Sequence, residues 1–81
     1  MRVRIRWFAS LRDAAGRTET DLELRDGATA EEAWQALAQQ TPALAARRPS
    51  LAVAVNREYA EFATVLKDDD EVAFIPPVSG G

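Results

Sequence analysis

Arg2-Val3-Arg4-Ile5-Arg6-Trp7 alternates charge and bulk without a break. A period of two residues marks a β-strand with one dry face and one wet face. Val3, Ile5 and Trp7 point to a core, and Arg2, Arg4 and Arg6 point away from it. Near the other end, Glu71 to Ile75 alternates in the same way. Val72 and Phe74 share one face there; Glu71, Ala73 and Ile75 share the other. Between these strands lies one strong helix. Thr29-Ala30-Glu31-Glu32 matches a capping box, with Thr29 as cap and Glu32 reaching back. Ala30, Ala33, Trp34 and Leu37 follow at helical spacing, so one face of that helix is apolar. Trp34 is the expected plug between helix and sheet.

The intervening segments complete the pattern. Ser10 to Gly16 reads as a short helical turn, capped by Ser10 and ended by Gly16. Thr18 to Arg25 alternates again, with Thr20, Leu22 and Leu24 inward, as a second strand antiparallel to the first. Asp26-Gly27 is a turn signal. Thr41-Pro42 ends the main helix, because the residue before proline avoids the α region. Thr41 can then cap a second short helix through Leu44 to Arg48, stopping at Pro49. Leu51 to Val55 is a third strand, and Tyr59 to Phe62 a short edge strand after a turn at Asn56-Arg57-Glu58. Asp68-Asp69-Asp70 reads as a solvated acidic turn. It lacks the spaced ligands and central glycine of a calcium loop.

Strand, strand, helix, strand, short strand, strand is an α+β order. A first hairpin, a helical crossover and a last strand returning beside the first make a mixed sheet with one main helix across one face. That is the β-grasp arrangement. The expected core is Val3, Ile5, Trp34, Leu37, Val53, Val72 and Phe74. The first and last strands then lie parallel in the middle of the sheet. Alternation carries Phe8 to the face away from the helix, unless the strand ends at Trp7 and Phe8 turns inward. Phe8 and Ile75 would occupy the same end of neighbouring strands. With Tyr59 they would form an exposed apolar patch, and such patches usually mean a partner.

From that end runs Pro76-Pro77-Val78-Ser79-Gly80-Gly81, and no residue from Val72 onward is charged. Residues 1–75 are expected to be the folded domain and 76–81 an extended tail. Each proline fixes φ and cannot donate to a sheet. Six residues at roughly 3.3 Å each reach about 20 Å. Glycine has no Cβ, so Gly80 and Gly81 leave the backbone open to close approach by another protein. A frayed end more often carries charged or mixed residues.

Composition removes whole classes of chemistry. The 81 residues contain no cysteine and no histidine. Disulfides, Cys- or His-based zinc sites, iron–sulfur clusters and catalysis by either residue are excluded; a carboxylate-only metal site is not. Ser10, Ser50 and Ser79 have no histidine base, so an enzyme acting alone is not expected. The net charge of −3 offers no basic surplus for phosphates, so nucleic acid is not an expected partner. Apolar runs are too short for a bilayer. Arginines interrupt the first six residues where a secretory leader would be apolar. The expectation is a cytosolic protein with no membrane contact.

Phe8-Ala9, Leu11-Arg12 and Gly16 resemble the end of the first strand in the small subunits of molybdopterin synthase. Val55-Asn56 resembles their third-strand exit. Residues 68–81, DDDEVAFIPPVSGG, closely resemble their C-terminal signature. Asp69 departs from the glycine often found there, and Asp tolerates left-handed turns better than most residues. The resemblance implies a ubiquitin-like sulfur carrier in molybdenum cofactor biosynthesis. Gly81 would be adenylated by an E1-like, ATP-using enzyme and converted to a thiocarboxylate, with Gly80 giving clearance. The large subunit, paired with this chain in a heterotetramer, would take the tail and pass the sulfur to cyclic pyranopterin monophosphate. Phe8, Tyr59, Ile75, Pro76, Pro77, Val78 and Ser79 would meet the partner. No cofactor would be bound on the chain itself.

The chemistry agrees with the residues. A carboxylate is a poor acyl donor until one oxygen joins a good leaving group, which adenylation supplies. A thiocarboxylate also lets a cysteine-free protein carry sulfur. Other readings stay open on sequence alone: the same carrier serving thiamine, a thiolated tRNA base or a sulfur amino acid, a ubiquitin-like modifier joined to a partner lysine, or a non-catalytic β-grasp interaction module.

Overall fold

Alternation becomes a sheet once each strand finds neighbours for its backbone. In the computed structural model, which describes residues 1–77, five strands do so. They are β1 (Arg2–Trp7), β2 (Glu19–Glu23), β3 (Ala52–Val55), β4 (Glu58–Ala60) and β5 (Glu71–Ile75). Their order is β2-β1-β5-β3-β4. β1 and β5 are parallel and central, with Ile5 opposite Val72 and Trp7 opposite Phe74. All other pairings are antiparallel. This is the expected α+β, β-grasp arrangement.

The helix α2 (Ala30–Gln40) crosses one face. Its first four N–H groups have no partners within the helix, and every one is satisfied. Glu32 N–H donates to Thr29 Oγ1 at 3.2 Å, and Thr29 N–H donates back to Glu32 Oε2 at 2.9 Å. Ala30 N–H and Glu31 N–H donate to the carbonyls of Thr64 and Phe62, at 3.0 and 2.9 Å. The loop before β5 therefore docks α2 from outside.

The seven expected core residues are all buried. Trp34 packs edge-to-face on Phe74. Trp7 is buried too, and its indole N–H donates to Thr20 Oγ1 at 2.9 Å. Leu11, Leu44 and Leu66 complete the core. None lay on a long periodic stretch, so periodicity could not select them.

Local differences from expectation have simple causes. The helix α1 spans Ala9–Ala15 and its N-cap is Phe8, not Ser10. It begins directly off β1, so Leu11 and Arg12 N–H groups donate to the Phe8 carbonyl. Ser10 is therefore inside the first turn, where it cannot cap. Gly16 ends α1 at φ 76°, in the left-handed region, as expected. The segment after α2 is a 3-10 helix, Pro42–Ser50, with no side-chain cap from Thr41. It runs through Pro49 instead of stopping there, since its spacing differs from that of an α-helix. β2 and β3 are each shorter than the alternation, and β4 begins at Glu58, inside the expected turn, and ends at Ala60 instead of Phe62.

The acidic turn has a structural use. Asp68 Oδ1 accepts from Arg2 N–H, and Asp70 Oδ2 from Lys67 N–H, both at 2.8 Å. Asp70 Oδ1 accepts from Asn56 Nδ2 at 2.8 Å. These bonds tie the start of β1 to the β3–β4 turn. Asp69 has φ 68°, the left-handed geometry that asparagine and aspartate tolerate.

Candidate functional site

Cross-strand partners point to the same side of a sheet. Pairing Glu19 with Arg6, Arg6 with Ala73, Ala73 with Ala54 and Ala54 with Tyr59 makes one row across all five strands. This row lies on the face opposite α2, because Trp7, Phe74 and Val53 occupy the other. Its middle holds two alanines, where methyl groups leave space that valine or leucine would fill. A concavity of about 340 Å³ opens above them.

Its walls come from all four strands around the alanine pair. Phe8 and Ile75 close the end where β5 finishes; Tyr59 closes the β4 side. Arg6, Arg57 and Glu71 form the opposite, charged rim. Phe8 is 40% exposed and Tyr59 80%, both unusually open for aromatics. β1 ends at Trp7, yet Phe8 remains on the open side, so the inward turn does not occur. Pro76 and Pro77 follow Ile75 immediately, and Pro77 is exposed.

The rim is held by ion pairs. Glu71 lies 3.4 Å from Arg6 and 3.8 Å from Arg57. The Arg6 guanidinium also sits 5.5 Å from the Phe8 ring centroid. Exposed pairs of this kind contribute about 0–1 kcal/mol, so their main effect is to orient side chains. Two arginines against one glutamate leave the rim net cationic.

Phe8, Tyr59 and Ile75, singled out by alternation, thus share one concavity. Ala54, Ala73, Arg6, Arg57 and Glu71 were not singled out. The available signal was alanine at mid-strand positions, where β-branched residues are commoner. Val78, Ser79, Gly80 and Gly81 lie outside the described residues. Among the described residues, no group of three or more His, Cys, Asp or Glu side chains is placed to hold a metal ion. No helix among them is long and apolar enough to cross a membrane.

A five-stranded mixed sheet, one covering helix and an apolar concavity beside the last strand define a ubiquitin-like β-grasp protein. Comparison with known proteins narrows the class. The chain belongs to the ThiS family, whose model matches residues 5–81. It is 40% identical to the molybdopterin synthase sulfur carrier subunit of Chlamydomonas reinhardtii, over the whole of both chains. Among solved structures it resembles SAMP1 of Haloferax volcanii, with a TM-score of 0.90 and 30% identity over the whole of both chains. It also resembles a chain in the complex of subunits 1 and 2 of the molybdopterin-converting factor from Helicobacter pylori. There the TM-score is 0.70 and the identity 26%, again over the whole of both chains.

Proposed function

We propose that this chain carries sulfur for molybdopterin synthesis as the small subunit of molybdopterin synthase. The observation that carries the reading is the apolar concavity of Phe8, Tyr59 and Ile75 at the point where β5 gives way to the tail. A partner that fills this concavity receives the tail in the same act. Likeness to sulfur carrier subunits over full length, and to a chain in a two-subunit complex, supports it.

In this reading an E1-like enzyme uses ATP to adenylate Gly81, and sulfur then displaces AMP to leave a thiocarboxylate. Gly80 gives the clearance that close approach needs. The large subunit, in a heterotetramer, binds Pro76, Pro77, Val78 and Ser79 along the tail. Its pocket holds cyclic pyranopterin monophosphate and supplies the catalysis. No cofactor is held on the carrier, and the reactions take place in the cytoplasm. Pinning a free chain costs about 1–2 kcal/mol per residue in backbone entropy. The two prolines reduce that cost by restricting the unbound state. Burial of Phe8 and Ile75 offsets more of it. The net cationic rim favours a partner whose apolar anchor is flanked by carboxylates.

A second reading is favoured by the likeness to SAMP1, a small archaeal modifier protein. There the activated Gly81 is joined to a lysine of another protein.

One experiment separates them. The chain is incubated with the adenylating enzyme, ATP and a sulfur donor, and its intact mass is measured. The carrier reading expects one oxygen exchanged for sulfur at Gly81, followed by loss of that sulfur to the pterin with the large subunit. A chain that gains no sulfur, and is recovered instead on partner lysines, overturns it.

A further inference from the structure

Arg57 occupies a backbone position that arginine does not favour. It follows Asn56 in the two-residue turn between β3 and β4, where Val55 pairs with Glu58. Both turn residues have positive φ, 52° and 71°. That is the signature of a type I′ turn, whose usual sequence is Asn-Gly. Asn56 suits its place. Its Nδ2 donates to Asp70 Oδ1 at 2.8 Å, and its Oδ1 accepts from Glu71 N–H at 3.0 Å. Those bonds fix the turn against the start of β5. Arg57 stands where glycine would be free of strain. Strain held at a fixed turn beside a binding concavity points to a task for the side chain.

The charges on the open face single out the same residue. Across β1 and β2, Arg2 faces Glu23, Arg4 faces Asp21 and Arg6 faces Glu19. Each of these arginines has a carboxylate opposite it on the neighbouring strand. Arg57 lines the same concavity as Arg6, but from a turn beyond that ladder. Its Nε lies 3.8 Å from Glu71 Oε2, while the other oxygen, Oε1, is 3.4 Å from Arg6 Nη1. Both distances exceed that of a good hydrogen bond. The Arg57 side chain is 80% exposed. Its guanidinium fork therefore keeps donors for a carboxylate from outside.

That carboxylate has a defined setting. Ala54 and Ala73 floor the hollow, and Phe8 and Ile75 close the end beside the tail. Glu71 and Ile75 are four residues apart along β5, about 13 Å. The groove is thus apolar near the tail and cationic at its far end. A segment lying in it has one favoured direction.

We propose that Arg57 is a specificity-determining residue of the docking face. It selects a partner segment in which an aliphatic or aromatic side chain enters the alanine hollow and a carboxylate lies toward Arg57. Two anchors fix which way round the partner sits, and so where Pro76 and Pro77 leave the interface. A segment with lysine in place of the carboxylate is rejected by like charge. Occupancy by the large subunit rests on the function proposed above; the chemistry of the occupant does not.

The full chain is titrated with the large subunit by calorimetry at several salt concentrations, beside thermal melting of the free chain. Arg57→Gly should melt at the same temperature or higher, since glycine fits the turn. It should bind roughly threefold more weakly at low salt, with a flatter salt dependence. Arg57→Glu should lose roughly tenfold. A lower melting temperature for Arg57→Gly, or undiminished binding by both variants, would overturn the proposal. A second probe needs no partner protein. Phenylpropionate and phenylpropylamine carry the same ring with opposite charges. In methyl NMR spectra the carboxylate should shift the Ala54 and Ala73 signals more than the amine does, and Arg57→Gly should shrink the difference. Equal shifts in the wild type, or a difference unchanged by Arg57→Gly, would also overturn it. A wild-type chain that prefers the carboxylate through Arg57, yet does not bind the large subunit, removes the sulfur-carrier docking and leaves this proposal standing.

Discussion

Trp34 on α2 meets Phe74 on β5 edge-to-face, with ring centroids 5.0 Å apart. Trp7 on β1 approaches both rings, at 6.5 and 6.4 Å. Phe62, from the loop before β5, stacks on Phe74 at 6.1 Å. The helix, both central strands and the docking loop thus share one aromatic cluster, and Phe74 is its centre. Such pairs add about 0.5–1.5 kcal/mol each beyond the area they bury.

Trp34→Ala should therefore destabilise the fold by about 3–5 kcal/mol. Domains typically have about 5–15 kcal/mol in total. Urea denaturation followed by far-UV circular dichroism measures the change. An unaltered midpoint and slope would contradict this core.

Phe8→Ala and Ile75→Asp should weaken binding to the large subunit and leave the isolated fold intact. Fully burying such side chains is worth about 1.5–3 kcal/mol each, or roughly ten- to hundredfold in Kd. Titration calorimetry and thermal melting of the free chain test both halves. An unfolded Phe8→Ala variant would show that Phe8 serves the core.

Removing Gly81 should abolish sulfur acceptance, since Gly80 would then end the chain about 3.3–3.6 Å short. Misplacement by about 1 Å can already cost roughly a hundredfold in rate. Adding a residue beyond Gly81 should be as harmful. The assay is sulfur transfer by mass, beside binding to the large subunit. Normal transfer by the shortened chain would rule Gly81 out as the carrier.

Stability should fall in acid through two carboxylates on α2. The Arg48 guanidinium, helped by the Gln35 amide, holds the Glu31 carboxyl below its usual range. The Arg25 guanidinium and the Thr29 backbone do the same for Glu32. Both folded-state values lie below the reference of 4.5. Their contribution is thus present above that reference and is lost as pH falls below it, through the folded values. Glu31→Gln should flatten this part of the profile, measured as urea midpoint against pH. An unchanged slope would show that the Arg48 contact adds nothing.

Asp69 adopts φ 68° in the turn before β5. Asp69→Gly should be tolerated with little change in melting temperature. Asp69→Val should cost about 1–2 kcal/mol, because a β-branched side chain resists the left-handed region. Equal stability of the two variants would contradict the turn geometry.

The sequence alone determined which face each residue of β1 and β5 takes and where α2 begins. Alternation in β1 and β5 marked Val3, Ile5, Val72 and Phe74 as buried, and the capping box placed Thr29 and Glu32 correctly. These are local matters: a repeat of two or of 3.6 residues, or a side chain bonding three residues along. Connection rules then made β1 and β5 neighbours, and so brought Phe8 beside Ile75. Tertiary structure decided the rest. The carbonyls of Phe62 and Thr64 that complete the α2 N-terminus come from over thirty residues away. Leu66 is buried from a loop with no period to announce it. The concavity exists because Ala54 and Ala73 fall opposite each other between Arg6 and Tyr59. Periodicity tells a residue which side of its own strand it occupies. Which residue faces it across the sheet depends on register, and register is set by the whole fold.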